Sequence, residues 1–567
     1  MNQQEKRKKI AIGVEDFKEI IDKDGYFVDK TLMIKKLIES RAKVTLFTRP
    51  RRFGKTLNQF MIRRFFEDEI TEKGEKVDNG YLFDGLKIAE CGEEILKHQQ
   101  QYPVIFMTLK SAKQPTYEMA YACLVDEICK EFERHSYVLQ GEMSQRNREI
   151  FERISLGKGS DDEYATAFAF LSECLFKYHK KKAIILIDEY DVPLENAYFR
   201  GFYDEMIDFI RSLFESALKT NPYLERSVIT GCLRISKESI FTGLNNLETD
   251  SVLHTRFGDS FGFTQEEVEG LLAYYDLSEQ LEEVKKWYDG YLFNDFEIYN
   301  PWSILKYVND RKDHVTEFAL PYWSNTSSNS IVREMVGEAD EMAKADLETL
   351  MAGGTIEKQV HEDITYGDIH QTQDNLWNFL FFTGYLKKVG ERTVGNNLWL
   401  EMKIPNIEIA TIYENSISYW FEQKIKATDR SPLVRALETG DCEAAEDFIN
   451  RQLADTISYY DYAETFYHGF MAGLLVNIGG YRVKSNRESG NGRPDIVMTE
   501  SKFRGRAMIL ELKISDTIQG MEKKCEEALT QMKEQKYESS LEDDGYRPIL
   551  KYAICFFKKG CMVKKAE

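Results

Sequence analysis

Phe47-Thr-Arg-Pro-Arg-Arg-Phe-Gly-Lys-Thr56 decides how the first half of the chain is read. Val44–Phe47 ahead of it is short and apolar, as a buried strand is, and Leu57–Glu67 behind it has helical spacing. A strand that turns through a basic loop and re-enters a helix at Gly-Lys-Thr has the ending of a Walker A phosphate loop. Gly54 lets the backbone approach phosphate oxygens, Lys55 reaches the β and γ oxygens, and Thr56 offers a hydroxyl to Mg²⁺. The helix start adds its partial positive charge. Arg49, Pro50, Arg51, Arg52 and Phe53 complete the candidate nucleotide-binding loop. Arg49 stands where the pattern normally has its first glycine. A basic loop before any helix would carry the same residues, so the reading needs a second signal.

That signal is Ala183-Ile-Ile-Leu-Ile-Asp-Glu189, an apolar run ending in two acids. A carboxylate at the end of a buried strand is costly unless a cation meets it. This is the Walker B pattern: Asp188 supports Mg²⁺ held from Thr56, and Glu189 polarises the attacking water. Asp191 is read as a turn residue or helix cap. Val104–Leu109 and Ser227–Thr230 are further strands. Strands alternating with helices imply a parallel α/β sheet. Thr230, ending the last of them, is a candidate γ-phosphate sensor. Arg234 is a candidate for neutralising transition-state charge or for touching a neighbouring subunit.

Tyr26-Phe-Val-Asp-Lys-Thr31, Arg49-Pro-Arg-Arg-Phe-Gly-Lys-Thr56, Ile187-Asp-Glu-Tyr-Asp191, Arg234-Ile-Ser-Lys-Glu-Ser239 and Trp287-Tyr-Asp-Gly-Tyr291 together resemble the AAA-ATPase-like family of bacterial proteins. The resemblance spans residues 8–300 and implies that an arginine at position 49 is the family's ordinary variant. Asp29 reads equally as an N-cap for the helix Leu32–Glu39 or as a residue at the nucleotide's edge. Helical periodicity dominates from Thr264-Gln-Glu-Glu-Val268 to about residue 450, with aromatic clusters such as Tyr299-Asn-Pro-Trp302 read as packing devices.

The last hundred residues change character. A helix at Ala463–Val476 is followed by strands at Tyr481–Ser485, Asp495–Met498 and Ala507–Ile514. A helix at Met521–Tyr537 and a strand at Tyr552–Phe557 complete an α-β-β-β-α-β unit. Asp495 opens one strand, and Glu511 and Lys513 lie two apart on the next, so the pleat puts the latter pair on one face and Leu512 on the other. Asp495 and Glu511 can then share one or two hard cations, with Lys513 beside the water or phosphate, which is the logic of metal-assisted phosphodiester hydrolysis. With Gln531 on the following helix, the set resembles the PD-(D/E)xK nuclease superfamily, a restriction-endonuclease-like fold. Ser485-Asn-Arg-Glu-Ser-Gly490 and Glu464-Thr-Phe-Tyr-His468 match the subgroup commonly fused to this ATPase family. The resemblance implies Glu464 as a further acid at the metal. Glu488 is a weaker candidate, and His468 and Tyr537 are read as packing residues.

Length and charge set the frame. At 567 residues the chain exceeds one core, and three blocks are expected: 1–264, a P-loop domain; 265–445, a helical middle; 446–567, the nuclease-like domain. A net charge of −20 excludes a protein that coats nucleic acid broadly. Residues 481–537 hold twelve Lys and Arg against nine Asp and Glu, so a nucleic-acid contact is expected locally there. Nine scattered cysteines form no CxxC pair, as in a reducing compartment. The polar start MNQQEKRKKI shows no secretory leader, and no apolar run approaches the roughly 18 residues of a membrane span. A cytoplasmic protein is expected, and a homo-oligomer is left open. The leading expectation is an ATPase, using ATP and Mg²⁺, coupled to a nuclease cutting DNA, or RNA, with Mg²⁺ or Mn²⁺. The resemblance implies a prokaryotic defence or mobile-element role. The alternative is an ATP-driven switch whose nuclease fold binds without cutting.

Overall fold

The computed structural model describes residues 7–566 apart from 235–239, 242–245, 317, 326–331, 334–336, 338–339, 363–372, 455–463, 477, 486–493 and 503. Residues 324–325, 373, 418, 421–422, 424–426 and 464–466 are described by backbone alone. The chain forms two compact units, Met1–Thr326 with Thr355–Thr411, and Ser327–Gly354 with Ile412–Glu567. This division differs from the three expected blocks: most of the expected middle joins the first unit, and the second begins before residue 446.

In the first unit, strands β1 (Val44–Thr48), β2 (Val104–Thr108), β3 (Ala183–Asp188), β4 (Leu224–Gly231) and β5 (Leu247–Asp250) make a sheet in the order β2-β3-β4-β1-β5. Every pairing is parallel. Each residue of β1 and β3 is buried, as continuous apolar runs covered on both faces should be. β4 lies between the two strands that carry the phosphate loop and the paired acids. Helix α1 (Lys55–Phe66) leaves β1 through Gly54, whose φ of +83° only glycine adopts without strain.

The expected helical middle holds many helices, and it also carries two three-stranded sheets that the helical periodicity did not suggest. One is β6 (Phe263–Thr264), β8 (Phe296–Tyr299) and β7 (Tyr291–Phe293). The other is β10 (Lys387–Val394), β11 (Asn397–Lys403) and β9 (Ile356–Val360). Helix α2 (Pro301–Lys312) follows β8 and is capped by Asn300, whose Oδ1 accepts from the Trp302 amide at 2.9 Å.

The second unit includes helix α3 (Glu341–Met351) from its first segment. Helix α4 (Ile407–Ala427) passes from the first unit into the second, and α5 (Ser431–Thr439), α6 (Cys442–Ala454) and α7 (Glu464–Leu475) follow. The sheet runs β12 (Tyr481–Ser485), β13 (Ile496–Glu500), β14 (Ala507–Ile514), β15 (Ile549–Phe557), β16 (Gly560–Lys565). Only the β14–β15 pair is parallel. One face, with Ile496, Met498, Met508, Leu510 and Leu512, packs on Leu433, Leu437, Phe448 and Leu474 of the helices α5 to α7. The other, with Ala507, Ile509, Ala553 and Cys555, packs under α8 (Met521–Glu534) through Cys525, Ala528 and Met532. Among the described residues no helix is long and apolar enough to cross a membrane.

Candidate functional sites on the two sheets

Parallel strands end at one edge of their sheet, and the order β3-β4-β1 brings three oxygens together there. Thr56 Oγ1 donates to Asp188 Oδ2 at 2.8 Å, and Thr230 Oγ1 donates to Asp188 Oδ1 at 2.6 Å. Asp188 is fully buried. Burial, and then the charge of Glu189 beside it, push its carboxyl up to about 6. A hydroxyl and a carboxylate form the hard-oxygen donor pair that suits Mg²⁺, and a cation would relieve the acid's desolvation.

Lys55 lies inside the loop. Its Nζ donates to the carbonyls of Arg49 at 3.1 Å and Pro50 at 3.2 Å, and lies 3.5 Å from Glu189 Oε1. Burial works against its charge, but Cys232, Glu189, Asp191 and Asp188 hold its pKa above the usual lysine range. Asp191 caps no backbone amide of the helix it precedes, Val192–Arg200. Instead its Oδ2 accepts from the amides of Cys232 at 2.7 Å and Leu233 at 3.1 Å, fixing the exit of β4.

The arginines of the loop do different work. The Arg49 guanidinium is fully buried. It bonds the Asp250 carboxylate, and also the Thr48 carbonyl at 2.9 Å and the Asp250 carbonyl at 2.7 Å. Its side chain thereby ties β1 to β5. Arg51 pairs with Glu195. Arg52 has φ +71° and lies 4.4 Å over the Trp302 ring. Phe53 packs on Tyr291 and Phe293, at centroid distances of 4.9 and 5.2 Å. Pro50 lies against Gly384, where an added Cβ would come within 3.0 Å. Arg234 lies 3.9 Å from Glu362 at the end of β4. Of the Arg234–Ser239 motif, 235–239 lie outside the described residues. Asp29 is not the N-cap of Leu32–Glu39, which is Thr31; its carboxylate accepts from the Thr31 amide at 2.9 Å and the Lys87 amide at 2.7 Å, pinning the N-terminal segment.

Partners missed in the sequence are Asp250, Glu195, Trp302 and Gly384. None sits in a motif with the loop, and only the Tyr299–Trp302 aromatic cluster gave a local signal.

In the second unit the register Ile496↔Leu510 sets Asp495 opposite Glu511 at the end of β13 and β14. Asp495 Oδ2 accepts from the Leu512 amide at 2.7 Å. Glu511 is 2 % exposed; burial, and then Asp495, raise its carboxyl to about 7 against the pull of Lys513. Its Oε1 lies 3.2 Å from Lys513 Nζ and accepts from Gln531 Nε2 at 2.8 Å. Among the described residues its Oε2 is buried without a hydrogen-bond partner of normal geometry. A buried carboxylate oxygen short of donors among the described residues, beside a second acid, fits a cation's place. Gln531 also donates to the Tyr537 hydroxyl at 3.0 Å, so Tyr537 orients the site as well as packing. His468 Nε2 lies 3.2 Å from the Asp495 carbonyl oxygen and 3.3 Å from Ser485 Oγ. Glu464 opens α7 one turn before His468, but its side chain lies outside those described. Glu488 lies outside the described residues.

Comparison with known families matches two stretches. The family described as "Predicted AAA-ATPase" matches residues 11–241, and the "PD-(D/E)XK nuclease superfamily" matches residues 462–566. An uncharacterized protein in the vnfD 5′ region of Azotobacter chroococcum mcd 1 is 24% identical over 551 residues. That alignment covers 94% of this chain and 93% of the other.

Proposed function

From a chain that joins a predicted AAA-ATPase domain to a PD-(D/E)XK nuclease superfamily domain, we propose an ATP-hydrolysing protein coupled to a metal-dependent nuclease that cuts DNA. The observation that carries the nuclease half is Glu511 Oε2, buried beside Asp495 and short of hydrogen-bond partners among the described residues, with Lys513 3.2 Å from the other oxygen. Asp495 and Glu511 would hold Mg²⁺ or Mn²⁺, whose chemistry there would be polarisation of the phosphodiester and of water.

The chain's own groups have these roles. Leu512's amide and Gln531 fix the two carboxylates, so neither has to reorganise when charge develops. Lys513 places an ammonium where the transition state gathers negative charge. In the other unit Thr56 and Asp188 would hold Mg²⁺ with the nucleotide, Lys55 would neutralise the β and γ oxygens, and Glu189 would accept the proton of the attacking water. Thr230, already bonded to Asp188, reports on that carboxylate from the strand between.

The test separates the two sites. Asp495→Ala and Glu511→Ala should each abolish oligonucleotide cleavage and weaken Mn²⁺ binding by calorimetry, with ATP turnover near wild type. Lys513→Ala should abolish cleavage with Mn²⁺ binding retained. Wild-type cutting by all three variants would refute the nuclease reading.

A further inference from the structure

Strand β12 is the edge of the nuclease-like sheet and, among the described residues, pairs only with β13. Its alternate residues Tyr481 and Val483 pack into the core shared with Leu510 and Leu512. The pleat therefore sends Arg482 and Lys484 to the opposite face, the one that carries Ala507, Ile509, Glu511 and Lys513. The register agrees: Lys484 lies opposite Val497, which lies opposite Ile509, one step along the strands from the Asp495 and Glu511 row. Arg482 and Lys484 are both exposed, and neither makes an ion pair or hydrogen bond among the described residues.

Among the described residues no acid neutralises the pair. On the same face β13 and β14 offer only Asp495 and Glu511 as acids. On α8, Glu522 and Glu526 face Lys564, at 2.8 and 3.7 Å, and Glu527 pairs with Lys524 at 2.8 Å. Two unpaired cations two residues apart stand about 7 Å from each other along a strand. That is the order of separation between neighbouring phosphates of an extended nucleic-acid strand. They lead straight to the paired acids, on a chain whose net charge of −20 would otherwise repel such a polymer.

We propose that Arg482 and Lys484 form a phosphate track that seats the strand to be cut, reading its backbone and not its bases. This rests on the nuclease reading above. An edge strand also bears lysines merely to block pairing with other sheets, and the experiment decides between these. Binding of the full-length protein to a fluorescent DNA oligonucleotide is measured by anisotropy across a salt series, together with steady-state cleavage in Mn²⁺. The double substitution Arg482→Ala with Lys484→Ala should raise KM at least about tenfold and leave kcat near wild type. It should also lower the steepness of log K against log salt by roughly 1.4 for a single strand, or 1.8 for a duplex. Arg482→Lys with Lys484→Arg should restore both. Wild-type affinity and salt slope in the alanine variant, with cutting intact, would overturn the track and leave the nuclease reading standing. A wild type that neither binds nor cuts any oligonucleotide would overturn both.

Discussion

Glu189 is held at φ +53°, in the left-handed region that side chains other than asparagine and aspartate seldom enter. The cost, roughly 1–2 kcal/mol, is tolerated because this turn sets its carboxylate beside Lys55 while Asp188 stays with Thr56 and Thr230. Glu189→Gln should therefore bind ATP normally and hydrolyse it at least ~10²-fold more slowly, seen by comparing nucleotide affinity with phosphate release. Equal rates would leave Glu189 a structural residue. A second buried acid, Glu408, accepts from the Trp323 amide at 2.8 Å and from Ser303 Oγ at 2.8 Å, and burial raises its carboxyl to about 7 from the usual 4.5. The folded protein thus keeps a proton that the unfolded chain has lost between those values. Its contribution to stability is complete below about pH 4.5 and is lost as pH rises through 7. Relative to Glu408→Gln, wild type should lose up to about 3 kcal/mol between pH 5 and pH 8, measured by urea unfolding at both. Parallel pH profiles would exclude the effect. At this scale the sequence showed which residues crowd the phosphate loop but not which way they turn. Arg49 and Arg52 read alike as basic loop residues, and only packing sends one into the core and the other over Trp302.

Among the elements, β5 joins β1 through a pair that burial disfavours on both sides, lowering the pKa of Arg49 and raising that of Asp250. Removing one partner leaves the other charge buried alone. Asp250→Ala should cost about 3–5 kcal/mol and loosen the phosphate loop, whereas Arg49→Met with Asp250→Leu should cost less than the single change. Chemical unfolding of wild type and the two variants ranks them, and a double variant that loses as much as Asp250→Ala or more would refute the coupling. The same strand shows why some elements escaped the sequence reading. Leu247-Glu-Thr-Asp250 has one apolar residue and no period, so nothing local marks it as a strand. β10 is likewise largely exposed, its charges satisfied by neighbours such as the pair Arg392–Glu357. β1, β3 and β14 were legible because burial on both faces demands unbroken apolar runs. The pleat of β14 then sorted Leu512 from Glu511 and Lys513 before any coordinates.

On the scale of the whole molecule, the two sheets and their order along the chain were readable, but the crossings between units were not. A chain that leaves one core and returns keeps the same composition on both sides. We propose a C-terminal domain that begins ahead of residue 431, because Leu433 and Leu437 share the core of Leu510 and Tyr552 donates to the Leu437 carbonyl. A fragment 427–567 should unfold cooperatively. One starting at 446 loses two buried leucines, at about 2–5 kcal/mol each, and should bind a hydrophobic dye and melt without a sharp transition. Identical melting curves would place the boundary later. Within the second unit, Arg333 lies over Tyr419, Lys344 lies over Trp420, and Glu348 lies 3.2 Å from Lys559. Glu348 leaves the ribosome 211 residues before Lys559, a wait of roughly ten to forty seconds at ordinary elongation rates. Through that interval Glu348 has no Lys559 to pair with, and the contact that joins α3 to the C-terminal sheet waits on the last residues made. Slower translation downstream of codon 354 lengthens that wait and gives chaperones longer to hold the helix.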